Sequence, residues 1–510
     1  MNTAALLSKA AAAHGERPAI RFGERVVSYR QAEEHAARLA GALRSRGLAR
    51  GDRVAIFMRN NPEYLITIFG VLHAGLCVVP INAKLHGREL AYILGNAGCR
   101  ALVFGEEHDA PVVESLAETP IDELVRVGGD GRGTAFERLT EAGDPTTPLL
   151  DVDPNDPAWL FYTSGTTGFP KGAVLTHRNL IAMTMSALAD VYPFQPEDIV
   201  CHPAPLSHGC GLYALASLAR GADNIIYHHA SFDARELLEL VERERVTSIS
   251  FMAPTMIALL LDAPAANDTG SLRSVIYGGG PMHVDIMSEA LQRFGKIFIQ
   301  IYGQGEAPMT IAYLRASDHD PDDPAALAST GIARTDVELR LVDNEGAEVA
   351  VGTEGEVTVR GDVVMKGYWH NPEATERALR GGWLHTGDIG RLDEQGRLSL
   401  LDRKNDMIIS GGANIYPREV EEALVLHKRV REAVVFGIPD EVWGESVCAC
   451  VVPMLGAPPD ADELISFCRQ HLASFKKPKR IEILDELPKN AYGKVLRREL
   501  KARYSHDPAP

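Results

Sequence analysis

From Tyr29 to Phe104 the apolar period switches repeatedly between that of a helix and that of a strand. This alternation constrains the fold more than any other feature of the 510 residues. Tyr29 to Arg46 carries Ala36, Leu39, Ala40 and Leu43 at helical spacing and stops at Gly47. Arg53–Met58 then reads as a strand, Pro62 to about Ala74 as a helix and Cys77–Pro80 as a strand. Arg88–Asn96 reads as a helix and Ala101–Phe104 as a strand. Strands separated by helices cannot close as hairpins, so they predict a parallel sheet with helices on its faces. The pattern resumes with strands at Ser248–Met252 and Ser274–Tyr277. From Ile332 to about Leu401 short β runs and turns such as Asp343-Asn344-Glu345-Gly346 predict a mostly antiparallel β subdomain. Beyond Asp406, helices at Arg418–His427 and Asp462–Leu472 bracket strands at Ala433–Phe436 and Val447–Val452. The expected class is α/β: a large N-terminal domain of parallel sheets plus a β subdomain, then a small α+β C-terminal domain.

One stretch carries phosphate chemistry. Ala158–Tyr162 reads as a buried strand, Thr163-Ser164-Gly165-Thr166-Thr167-Gly168-Phe169-Pro170-Lys171-Gly172 follows, and a helix is expected from about Thr176 to Leu188. A strand, a Gly/Ser/Thr turn and a helix form an anion cradle. Glycines let backbone N–H groups approach, hydroxyls add donors and lysine adds charge. The spacing is not that of a Walker A loop.

Bulk properties narrow the partners. A net charge of −17 argues against general nucleic-acid or membrane-surface binding. No apolar run approaches the ~20 residues that span a bilayer. The opening residues lack a charged segment before the apolar ones, so the Ala-rich run through Ala13 is expected to be a short surface helix, not a signal peptide. Seven scattered cysteines without a C-x-x-C pair suggest neither a zinc cage nor a disulfide framework, and fit a reducing cytoplasm.

The stretch Tyr162 to Val174 resembles the phosphate loop of the adenylate-forming superfamily: acyl-CoA synthetases, adenylation domains and luciferases. Further stretches resemble that family in its expected order: Gly278–Pro281, Tyr302–Glu306, Gly382–Asp388, Asp402–Asp406 and Pro488–Lys494. The resemblance covers nearly the whole chain. It implies an N-terminal domain over 1–402 and a mobile C-terminal domain over 403–510, meeting near Asp402–Asp406. It also implies ATP, Mg²⁺ and coenzyme A as reactants and cofactor, and a small carboxylic acid as substrate.

Residue roles carry over from the resemblance. Thr163, Ser164, Gly165, Thr166, Thr167, Gly168 and Lys171 would hold the β- and γ-phosphates. Glu306 would be the metal ligand. Gly279, Gly280 and Pro281 would lie against adenine with Tyr302 stacked on it, beside Gly303 and Gln304. Asp388 and Arg403 would hold the ribose. Lys494 would stabilise charge between the substrate carboxylate and the α-phosphate. Asn405 would be the hinge, and Gly411 and Gly412 would line the pantetheine channel. His208 matches an aromatic gate, and Phe251, Ala253, Thr255, Gly278 and Met309 are candidate acyl-pocket walls with no evident buried cation. The cluster Lys476, Lys477, Lys479 and Arg480 is a candidate for the phosphates of CoA. Gly305 departs from the family's usual threonine. Losing that hydroxyl removes a hydrogen bond worth about 0.5–1.5 kcal/mol, so restoring threonine is expected to keep or raise the adenylation rate.

The expected activity is an AMP-forming acid–CoA ligase acting on an aryl or short-to-medium aliphatic monocarboxylic acid. Three alternatives stay open: a stand-alone enzyme loading a carrier protein, a luciferase-like oxidase, and a nucleotide-binding sensor without turnover. The assembly is equally open, a homodimer among the options.

Overall fold

The computed structural model describes residues 1–163, 170–228, 231–404, 406–410, 413–440, 442–454, 456, 458–489 and 495–505. The chain divides into two compact units. The first comprises Met1–Leu339, Thr358–His385 and Gly396–Leu398, and the second Arg340–Val357, Thr386–Gln395 and Ser399–Pro510.

Two large sheets build the first unit. Among the described residues, one has seven strands, ordered Thr134–Ala135, Glu123–Val127, Cys99–Gly105, Arg53–Phe57, Cys77–Pro80, Pro157–Thr163, Lys171–Thr176. All its pairings are parallel except the last. The other has nine strands, and its middle ones, including Ser248–Met252, Ser274–Gly278 and Phe298–Gln304, run parallel as the alternating pattern predicts. Central strands buried on both faces read as continuous apolar runs, and Val54, Ala55, Ile56 and Phe57 show no exposure. The segment 109–154 contributes two helices and the two strands at one edge of the first sheet.

Two expectations are corrected. The phosphate loop does not lead into a helix. It joins an antiparallel hairpin in which Thr163 pairs with Lys171 and Leu160 with Val174. Gly172–Thr176 is a buried apolar run whose backbone needs partners, and it finds them in the neighbouring strand. The helix His177–Ser186 starts only after that strand, capped by the Thr176 hydroxyl, which accepts from Asn179 N at 3.2 Å. At about 3.4 Å per residue its N-terminus lies some 20 Å from the loop, too far for its dipole to serve an anion there. The N-terminal helix Ala5–His14 forms, but Thr3–Leu7 and Ala10 are buried, not on the surface. Asn2 Nδ2 donates to Leu72 O at 2.7 Å and pins this end in place.

In the second unit, helices Pro417–Val425 and Ala461–His471 pack Val420, Leu424, Leu464 and Cys468 onto Val435, Val447, Ala449 and Val451. On the opposite sheet face, Leu500 and Tyr504 of the helix Arg497–Ser505 meet Val434, Phe436, Cys448 and Cys450. Successive residues of one strand thus serve two cores, as the period of two requires. All seven cysteines are buried and unpaired. Among the described residues no helix is long and apolar enough to cross a membrane.

Candidate active site

Glu306 sits in the two-residue turn between the strands Phe298–Gln304 and Ala307–Leu314. The Tyr368 hydroxyl donates to its Oε1 at 2.6 Å, and Thr163 Oγ1, at the end of the hairpin strand, stands 3.5 Å from the same oxygen. Lys171 Nζ lies 5.0 Å from the centre of the Tyr368 ring. The segment carrying Tyr368 is strapped to the hairpin strand by backbone bonds: Lys366 N to Val174 O, Val174 N to Gly367 O and Trp369 N to Gly172 O, all 2.8–2.9 Å. Three segments distant in sequence therefore bring a carboxylate, two hydroxyls and a cation to the mouth of the loop. Ser164, Gly165, Thr166, Thr167 and Gly168 lie outside the described residues. Tyr368 was not foreseen, because nothing local in its sequence points to a carboxylate 62 residues away.

The glycines around Glu306 are required by space. A Cβ on Gly303 would stand 2.5 Å from Met309 Cα and N, and one on Gly305 2.7 Å from Phe161 Cδ1 and closer still to Thr163 Cγ2. The sequence treated Gly305 as a missing donor. Its lack of a side chain is what lets Thr163 and Phe161 approach the turn. In the segment expected to face adenine, Gly278 ends its strand against Ile301 O, Gly279 has φ +80° and Gly280 and Pro281 are exposed. Tyr302 is buried in the neighbouring strand, followed by Gln304, whose pairing with both Ala307 and Pro308 marks a bulge.

The proposed acyl-pocket residues fall partly together. A Cβ on Gly209 would meet Met309 Sδ at 2.9 Å and Phe251 at 3.2 Å, and one on Gly279 would touch Phe251 Cζ at 3.4 Å. Ala253 caps the helix Pro254–Asp262, and Thr255 is exposed in its first turn. His208 caps the helix Gly209–Ala219. Its Nδ1 is 2.8 Å from Ser207 Oγ, and its ring stands at 89° to that of Phe161 with centroids 6.0 Å apart. Burial pushes the imidazole down to about 4, so it is neutral at physiological pH.

In the second unit, Arg403 Nε and Asp388 Oδ1 form an ion pair at 3.0 Å. Lys404 N donates to Gly387 O at 2.8 Å, joining the two segments that carry the pair. Asp402, just before Arg403, has a buried side chain that accepts from Arg418 N at 2.8 Å and from Arg403 N at 2.7 Å. Burial raises its pKa against the opposing pull of Arg497. The basic cluster is less free than its sequence suggests. Lys476 pairs with Glu419, Lys479 with Asp440 and Arg480 with Glu482, each at 2.7–2.8 Å. Lys477 donates to Ser474 O. Two exposed aromatics accompany these lysines: Trp443, half exposed with Lys479 Nζ 5.7 Å from its ring, and Phe475, with Lys476 Nζ at 5.7 Å. Asn405, Gly411, Gly412 and Lys494 lie outside the described residues.

Comparison with known proteins identifies the family. Residues 7–369 match the AMP-binding enzyme family and 419–494 the AMP-binding enzyme C-terminal domain. The chain is 38% identical to a feruloyl-CoA synthase of an Amycolatopsis species over 95% of its length and 96% of the relative's. It is 36% identical to the fatty acid–[acyl-carrier-protein] ligase ScoC of Streptomyces coeruleorubidus, over 96% of this chain and 94% of that one. Among solved structures, the amide bond synthetase McbA from Marinactinospora thermotolerans superposes with a TM-score of 0.89 at 31% identity, covering 99% of this chain and all of that one. With both family models matched in order across most of its length, the chain belongs to the AMP-binding enzymes, the adenylate-forming superfamily that its motifs resemble.

Proposed function

We propose that this protein is an ATP-dependent acid–CoA ligase. A carboxylate and ATP give an acyl adenylate and pyrophosphate; CoA then gives the acyl thioester and AMP. The observation that carries the reading is the convergence on Glu306 of Tyr368, Thr163 and, beside them, Lys171 at the mouth of the loop. The reaction joins two anions, so the site must neutralise charge and hold the pair in line. Thr163 and Lys171, with Ser164, Gly165, Thr166, Thr167 and Gly168, bind the β- and γ-phosphates. Asp388 and Arg403 take the ribose, and Gly279, Gly280, Pro281 and Tyr302 the base. Lys494 offsets the charge that builds between the carboxylate and the α-phosphate. No general base is needed, because the acid is already ionised at neutral pH.

Mg²⁺ fits the donor set. Among the described residues no three carboxylates, histidines or cysteines cluster, and a hard cation held by one carboxylate plus substrate phosphates needs no such cage. Glu306 would supply that carboxylate, with Tyr368 fixing its orientation. When bound, the ion would share the phosphate charge.

For the second step, rotation of residues 403–510 about Asn405 removes Lys494 and admits the thiol past Gly411 and Gly412, with neutral His208 as the gate. Trp443 and Phe475 offer flat, exposed rings beside Lys479 and Lys476, a combination suited to an adenine and its phosphates. That favours CoA over a carrier protein, the acceptor in the name of one relative. The substrate is placed among aryl or fatty monocarboxylic acids, in line with the names of similar ligases. Seven buried, unpaired thiols support a cytoplasmic setting. The test is acid-dependent exchange of pyrophosphate into ATP without CoA. Exchange with aryl or fatty acids is expected; none with any acid would refute the reading.

A further inference from the structure

Arg334 follows the short strand Ile332–Ala333 at the edge of the nine-stranded sheet and is 1% exposed. Its Nη2 donates to Met309 O at 3.2 Å and to the Tyr213 hydroxyl at 3.3 Å. Its guanidinium carbon lies 5.2 Å from the Tyr313 ring centre. Nε and Nη1 are buried and have no hydrogen-bond partner among the described residues. A guanidinium has five N–H donors, and three of them sit on those two nitrogens. Asp190 is engaged instead by the next residue, Thr335, accepting from its N at 2.8 Å and its hydroxyl at 2.6 Å. A buried cation with unfilled donors and no ion pair among the described residues is costly, and such a group calls for a partner supplied from elsewhere.

Its position indicates the source. Contacts run in series from the phosphate end inward. Gly305 faces Phe161, Phe161 stands edge-on to His208, the next residue Gly209 lies against Phe251 and Met309, and the carbonyl of Met309 is held by Arg334. Met309 is itself in the left-handed region at φ +61°, an uncommon conformation for a side-chain residue. The tyrosines flanking the guanidinium, Tyr213 and Tyr313, are buried in the same core region as the pocket-wall residues Phe251 and Met309. The series begins where the acid's carboxylate must react and ends on a donor-only group.

We propose that Arg334 is a specificity-determining residue, selecting acids whose far end carries an oxygen acceptor, either a neutral hydroxyl or a second carboxylate. This rests on the acid–CoA ligase reading and replaces its monocarboxylic class by acids with an oxygen acceptor at the far end. It departs from the expectation of a pocket with no evident buried cation. A purely apolar tail leaves the three N–H groups unfilled, whereas an acceptor fills at least one of them with a charge-assisted bond.

The test is pyrophosphate release by the native enzyme on matched acids, terminated in methyl, hydroxyl or carboxylate, on an aryl and an alkyl frame. The expected result is a kcat/KM about 10- to 100-fold higher for one of the oxygen-terminated acids than for its methyl counterpart, the range of a charge-assisted hydrogen bond. The hydroxyl and carboxylate arms decide which acceptor is read. Arg334→Met should erase the preference and leave the methyl-terminated acids within a few-fold of native, and Arg334→Lys should keep part of it. Release without preference in the native enzyme overturns the proposal, as does an equal loss on all acids in both variants, which would make Arg334 a support for Met309. The native panel needs no variant to fold. Absence of release with every acid would instead refute the ligase reading.

Discussion

Replacing Gly305 by alanine puts a methyl carbon 2.7 Å from Phe161 Cδ1, and nearer still to Thr163 Cγ2. Ordinary contact begins near 3.4 Å. The Phe161 ring edge must therefore retreat by about 0.7 Å and the Thr163 methyl by more, against close-packed surroundings. Overpacking of this kind costs about 1–3 kcal/mol of stability. The effect on rate should be larger than that cost implies. Thr163 stands 3.5 Å from Glu306, and Phe161 stands against His208, so the displaced side chains are the ones proposed to meet phosphate and acyl group. A shift of about 1 Å in a positioning group costs roughly 100-fold. Gly305→Ala should thus slow pyrophosphate–ATP exchange by about 10- to 100-fold at saturating acid, and Gly305→Thr at least as much. A urea-unfolding midpoint measured alongside separates the stability cost from the kinetic one. Exchange that is unchanged or faster in Gly305→Thr would refute the steric account and restore the view that the chain merely lacks a hydroxyl.

Tyr368→Phe removes the donor held 2.6 Å from Glu306 and should slow adenylation about tenfold with little change in the KM for the acid. Steady-state pyrophosphate release reads this. Trp443→Ala should raise the KM for CoA roughly five- to 100-fold, the value of an aromatic stack on a base, while exchange without CoA stays at the native rate. Lys494→Ala should lower adenylate formation by at least about 100-fold yet spare thioester formation from a supplied acyl adenylate; equal loss of both steps would remove its assigned role. Burial holds His177, His202, His208 and His319 each at about 4 against an ordinary 6.5. The unfolded chain then binds more protons, so stability is intact above pH 6.5 and falls as pH drops toward 4. At pH 5.5 the loss is about 1 kcal/mol per histidine, visible as a falling urea midpoint.

Periodicity made the sheets legible. The alternation from Tyr29 to Phe104 predicted strands within a residue or two of Arg53–Phe57, Cys77–Pro80 and Cys99–Gly105. It failed after the phosphate loop, where a five-residue apolar run beside glycines carries too little period to tell a strand from the lead-in to a helix. Asp388 and Arg403 were legible as motifs, and the two meet at 3.0 Å. Partnerships across the fold were not. Glu306 meets Tyr368 only because the segment 366–369 is strapped to the hairpin, and Gly305 is crowded by residues more than 140 positions earlier. Arg334 looks like any charged residue after a strand, and only its burial with Nε and Nη1 unpartnered among the described residues sets it apart.

The most direct test of the ligase account is a product balance on one activated acid with ATP and CoA. It predicts one pyrophosphate, one AMP and one acyl-CoA per acid consumed, with pyrophosphate–ATP exchange persisting when CoA is left out. Pyrophosphate released with no acyl-CoA formed, the acyl group remaining as adenylate or passing only to a carrier protein, would contradict it.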